Sequence, residues 1–166
     1  METISINKSL PDTEIYNGLV PQIENLIDAD LPLVSNLANV ASALKFSFEK
    51  ISWVGFYLLK NNKLYLGPFQ GKIACTEIGI GSGVCGKSAE LKETIIVEDV
   101  DKFPGHIACD SGSRSEIVVP LIKNNLCCGV LDLDSYRLSA FNSIDKKFLE
   151  KICCILTDKF SFDILL

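Results

Sequence analysis

The chain has one histidine, no Cys-x-x-Cys pair, no cluster of basic residues, and no apolar run of the roughly 18 residues that a membrane helix needs. Each absence removes a class of function. With His106 alone, and with doublets Cys127-Cys128 and Cys153-Cys154 that splay apart on a strand or a helix, four convergent zinc ligands are not expected. A net charge of −5 with scattered lysines and arginines argues against nucleic acid as a main partner. The first eight residues carry no basic-then-apolar signal, so a cytoplasmic location is expected and a membrane partner is not.

What remains is 166 residues, 48% of them apolar and evenly spread, enough for one domain over 1–166 with its core at about 10–160. Seven cysteines is a high count. In a reducing compartment an odd number of them fits a structural disulfide framework poorly.

Hydrophobic periodicity predicts the elements. Residues 11–29 read as a helix with Asp12 as N-cap and a kink at Pro21. Residues 31–46 form a second helix, apolar at Leu33, Leu37, Val40, Ala41 and Leu44. The period then changes to two, in Ile51–Leu59 and Lys63–Leu66 around an Asn61-Asn62 turn. A less regular stretch holds a strand at Ala74–Ile80, a short helix at Val84–Lys92, a strand at Thr94–Val97 and a loop at Phe103–Asp110. Strands Glu116–Ile122 and Leu126–Asp134 follow, joined by Lys123-Asn124-Asn125, and a last helix runs from Ser143, its N-cap, to Phe160. This order predicts an α+β fold: an antiparallel sheet with helices on one face.

One motif points elsewhere. Gly81-Ser-Gly-Val-Cys-Gly86-Lys87-Ser88 matches the phosphate-binding P-loop, and Asp132 ends an apolar strand as a magnesium-holding Asp would. The P-loop mechanism requires a parallel sheet with helical crossovers. Here the Asp132 strand returns from Ile122 through three turn residues, which forces antiparallel pairing. A loop whose bare N–H groups meet an anion is the alternative.

The chemistry-bearing residues are three cysteines in glycine-rich or polar settings, Cys75, Cys85 and Cys109, and the acidic residues Glu116, Asp132 and Asp134. A soft thiolate nucleophile with a partner thiol can reduce an oxidised compound and close a disulfide before overoxidation. Asp132 and Asp134 share one strand face, opposite Leu131 and Leu133, with Glu116 on the partner strand. Such carboxylates can bind an ammonium or share a proton. Trp53 and Tyr57 share a face of the first strand and can form an aromatic wall. Residue chemistry thus reaches a small oxidised compound with a basic group. His106 can lower the thiol pKa of nearby Cys109, but an isolated loop histidine is as readily structural, and it stays outside the catalytic set.

The segments Trp53-Val-Gly-Phe-Tyr57, Gly67-Pro-Phe-Gln-Gly-Lys-Ile-Ala-Cys75, Gly83-Val-Cys-Gly86, Phe103-Pro-Gly-His-Ile-Ala-Cys-Asp110, Ser115-Glu-Ile-Val-Val-Pro120 and Leu131-Asp-Leu-Asp-Ser135 resemble the free methionine-R-sulfoxide reductases. The resemblance spans about residues 10 to 160. It implies a GAF-like fold with N- and C-terminal helices on one face and an irregular crossover over the pocket. It implies Cys109 as nucleophile, Cys75 as resolving thiol and Cys85 as a third thiol in the pocket. Glu116, Asp132 and Asp134 would bind substrate and assist the sulfoxide oxygen. The substrate would be the free amino acid, with no cofactor beyond thioredoxin or another dithiol as electron donor, and a homodimer is common in this fold. Generic GAF sensor modules lack this cysteine set and usually come fused to an output domain, for which little chain is left here.

Overall fold

Two helices, α1 (Asp12–Leu26) and α2 (Leu33–Ser47), open a computed structural model that describes residues 3–107 and 109–162. The hairpin β1 (Trp53–Lys60) and β2 (Lys63–Gln70) follows, then β3 (Glu77–Gly79), α3 (Gly83–Leu91) and β4 (Ile95–Val97). A 3-10 turn at Val100–Lys102 leads to the hairpin β5 (Ser115–Lys123) and β6 (Leu126–Ser135), and α4 (Ser143–Lys159) closes the fold. The strands form one sheet in the order β3-β2-β1-β6-β5-β4, with every pairing antiparallel. No described helix is long and apolar enough to cross a membrane.

Both hairpins turn on asparagine pairs. Asn61 and Asn62 have φ of 49° and 62°, and Asn124 and Asn125 have 50° and 62°, the left-handed pair of a type I′ turn. Lys123 still pairs with Leu126, so the second loop has two residues rather than the three expected.

Alternation along the strands gives the sheet two unlike faces. Val54 and Phe56 of β1, Ile117 and Val119 of β5, and Leu131 and Leu133 of β6 pack in one core with α1, α2 and α4. All five expected apolar positions of α2 are buried there. Trp53, Tyr57, Val118 and Val130 face the other way, into a smaller core completed by Val84, Cys85 and Ala89 of α3. The terminal helices therefore share one face and the crossover covers the other, as the sequence implied.

Three local expectations are corrected. Helix α1 starts at Asp12, with Pro11 in the cap position, and runs through Pro21 to Leu26. Asp12 instead receives an ion pair from Lys50 at 2.6 Å. The cap of α4 is Asn142, not Ser143: its side chain accepts from the Ile144 N–H at 2.8 Å while Asp145 accepts from the Asn142 N–H at 2.9 Å, a capping box. Strand β3 is only Glu77–Gly79, because the chain before it turns away from the ladder to bring Cys75 over the pocket.

Candidate active site

Two loops, residues 71–76 after β2 and the described residues 103–107 and 109–114 before β5, meet above the pocket face. Cys75 and Cys109, 34 residues apart, are joined by a disulfide with their Cα atoms 5.6 Å apart. Polar contacts dock the same loops. Asp110 accepts from the Gly112 N–H at 2.9 Å and the Tyr136 hydroxyl at 2.7 Å, and pairs with the Lys72 ammonium at 3.2 Å. From the sheet, the Trp53 indole N–H donates to the Lys72 carbonyl at 3.0 Å and the Tyr57 hydroxyl to the Cys75 carbonyl at 3.1 Å. The Trp53 indole lies over Gly55, where a Cβ would collide with the ring and with Phe69.

Beneath this bridge is a small pocket, about 40 Å³ with the disulfide closed. Its floor carries Glu116 of β5 and Asp132 and Asp134 of β6, with Glu116 directly across the ladder from Asp134. Cys85, in the first turn of α3, reaches the same floor. Burial pushes the Glu116 carboxyl well above the usual carboxylate range, and the nearby Asp134 charge adds to this. Burial does the same to Asp132, reinforced by Asp134 and Glu116. Asp134 is pushed up to about 6, again chiefly by burial, although hydrogen bonding from Ser113 pulls the other way. Burial and the neighbouring carboxylates also raise the Cys85 thiol and the Tyr57 hydroxyl.

Asp132 Oδ1 is buried without a hydrogen-bond partner among the described residues. An unsatisfied buried acceptor costs about 1–3 kcal/mol. A cationic donor entering the pocket would offset that cost. Such a floor can receive a cationic donor, and crowded carboxyls of raised pKa can also hold a proton between them.

Seven of the eight site residues expected from sequence line the pocket: Trp53, Tyr57, Cys85, Cys109, Glu116, Asp132 and Asp134. Cys75 does not; it stands behind Cys109 at the far end of the disulfide. The two aromatics form a wall, but their polar tips also hold the Cys75 loop, a role their spacing did not suggest. His106 lines the pocket with its Nε2 3.4 Å from Glu116 Oε2, so it addresses the acids. Sequence reasoning missed Ser113 and the Asp110 anchor. The segment Asp110-Ser-Gly112 held a signal, since an aspartate two residues before a glycine is a common side-chain-to-backbone turn. Cys127, Cys128, Cys153 and Cys154 lie outside the pocket, with Cys153 buried in the helix-side core.

The P-loop-like segment joins an antiparallel edge strand to a nine-residue helix. Lys87 pairs with Glu90 at 2.6 Å on the surface. Gly86 is explained by packing, because a Cβ there would strike the Gly79 carbonyl.

A GAF domain family model matches residues 22–154. GAF domain-containing protein A of Dictyostelium discoideum is 51% identical over 156 residues, covering 93% of this chain and 98% of that protein. The free methionine-R-sulfoxide reductase of Saccharomyces cerevisiae is 43% identical, over 92% of this chain and 89% of its own length. The chain belongs to the GAF-fold free methionine-R-sulfoxide reductases. A Neisseria meningitidis free methionine-R-sulfoxide reductase, solved in complex with its substrate, matches with a TM-score of 0.88 and 43% identity, covering 95% of this chain and 96% of that one. The family is one of oxidoreductases, and the match extends over the whole pocket-bearing fold.

Proposed function

We propose that this protein reduces free methionine-R-sulfoxide to methionine by thiol chemistry, with thioredoxin or a similar dithiol as the electron donor. The reading is carried by one observation: the Cys75–Cys109 bond and three crowded carboxyls converge on a single pocket.

The Cys109 thiolate attacks the sulfoxide sulfur while the carboxyl cluster gives a proton to the departing oxygen. Methionine leaves, and the oxygen stays on Cys109 as a sulfenic acid. The Cys75 thiol attacks that sulfur, water leaves and the disulfide forms. An external dithiol then restores both thiols and is itself oxidised. The substrate ammonium pairs with the acids of the floor, and the enclosure around them leaves no room for a preceding peptide residue. Trp53 and Tyr57 flank the methyl-thioether end.

Replacing Cys109 by Ser tests this directly. Turnover of free methionine-R-sulfoxide with thioredoxin or dithiothreitol should fall by at least about a thousandfold, the scale of losing a nucleophile. Normal turnover in Cys109→Ser would remove Cys109 from the reaction.

A further inference from the structure

The reaction above runs between Cys109 and Cys75 and leaves the Cys85 thiol unused, although that thiol lies at the pocket floor. Cys85 Sγ, a carboxylate oxygen of Glu116 and one of Asp132 all lie within 4.8 Å of one another. They come from α3, β5 and β6, and all three residues are buried. Zinc holds sulfur at about 2.3 Å and carboxylate oxygen at about 2.0–2.2 Å, so small side-chain rotations bring this set around one ion. A separate observation points to a cation at the same place: Asp132 Oδ1 is buried and has no hydrogen-bond partner among the described residues. His106, whose Nε2 is 3.4 Å from Glu116 Oε2, stands where an outer-sphere partner would orient a ligating carboxylate.

We propose that Cys85, Glu116 and Asp132 form a binding site for one thiophilic divalent cation of the zinc–cadmium class, which occupies the carboxylates offered to a substrate ammonium and so inhibits the enzyme. A sulfur donor selects against magnesium and calcium, which prefer oxygen ligands. Binding replaces the Cys85 S–H bond with a sulfur–metal bond and releases the proton to water, with no electron transfer. The site does not need Cys75 or Cys109, so it persists when their disulfide is closed. Binding is independent of the reductase reading; the inhibition rests on it.

The test uses the full chain with the Cys75–Cys109 bond closed and Cys127, Cys128 and Cys154 replaced by alanine, titrated with Cd2+. The expected result is one equivalent bound with an ultraviolet thiolate-to-cadmium charge-transfer band. Cys85→Ser should abolish the band. Glu116→Gln and Asp132→Asn should each keep the thiol yet weaken Cd2+ by at least about tenfold, since even outer-sphere losses reach that size. A band that survives Cys85→Ser, or an affinity unmoved by both carboxylate changes, overturns the site. In a Cys75→Ser, Cys109→Ser background, saturating free methionine sulfoxide should raise the apparent Cd2+ Kd by at least about tenfold, the same threshold as for losing a partner. An unchanged Kd there overturns the shared-carboxylate claim. Metal-free wild-type turnover reports on the reductase reading separately.

Discussion

Asp145 and Asp132 are both buried, one on the helix side of the sheet and the other on the pocket side. Asp145 meets the Lys50 ammonium at 2.7 Å, the Tyr16 hydroxyl at 2.9 Å and the Asn142 backbone N–H at 2.9 Å. Its charge is matched, and it ties α1 and the chain entering β1 to the start of α4. Asp132 sits among Cys85, Glu116 and Asp134, and one of its oxygens has no hydrogen-bond partner among the described residues. The first aspartate spends its hydrogen-bonding capacity inside the fold; the second holds it in reserve. The same division runs along β6, where Leu131 and Leu133 pack against helices while their neighbours Asp132 and Asp134 face the pocket. One face of the sheet supplies stability, and the other carries a standing cost that a ligand relieves.

Substitution of the two aspartates should separate these roles. Asp145→Ala should lose about 3–5 kcal/mol of stability in denaturant unfolding, the cost of orphaning a buried partner, with KM unchanged in the folded fraction. Asp132→Asn should do the reverse: KM for the free amino acid rises roughly 10- to 150-fold, the worth of one charged hydrogen bond, while stability holds or increases. If Asp132→Asn destabilises as much as Asp145→Ala, the contrast between the two faces fails.

Titration sharpens the same contrast. The Asp134 carboxyl, pushed from 3.8 to about 6, is charged above that pH and neutral below it. KM for an ammonium-bearing substrate should therefore rise as the pH falls through about 6. Stability runs in the opposite sense. Between 3.8 and about 6 the folded chain keeps a proton that the unfolded chain has released, so this group's contribution is fullest at the acid end and declines as pH rises. Asp134→Asn should flatten both slopes; an unaltered KM profile would remove Asp134 from the amine site.

The smallest effect belongs to the loops. Lys72→Met removes an exposed, solvent-screened ion pair to Asp110, so disulfide closure after the first turnover should slow by no more than about fivefold. Rapid-quench thiol alkylation reads that rate, and no change would mean that the covalent chemistry alone sets it.

The sheet and the acids were legible in the sequence for one reason. Period-two alternation with Asn-Asn turns fixes which residues share a face, and Glu116, Asp132 and Asp134 follow from that. The Cys75 loop was not legible as a loop. Residues 74–80 look like one strand by local preference, and the contacts that turn 74–76 aside are tertiary: the Cys109 sulfur and the Tyr57 hydroxyl on Cys75, and the Trp53 indole on Lys72 just before. The Asn142 cap was readable in principle. Asn142 and Ser143 are both good caps, but only Asn142 has an acid three residues on to return the hydrogen bond. The approach of Cys85 to Glu116 and Asp132 has no local signature, because three separate elements deliver it.

Gly55 gives up its own side chain so that a neighbour's ring can lie flat across the strand. The side chains at positions 53 and 55 therefore constrain each other. Bulk at 55 would displace both the indole and Phe69, and with the indole the N–H that grips the Lys72 carbonyl. A change at an apparently silent strand glycine would surface as a loosened thiol loop.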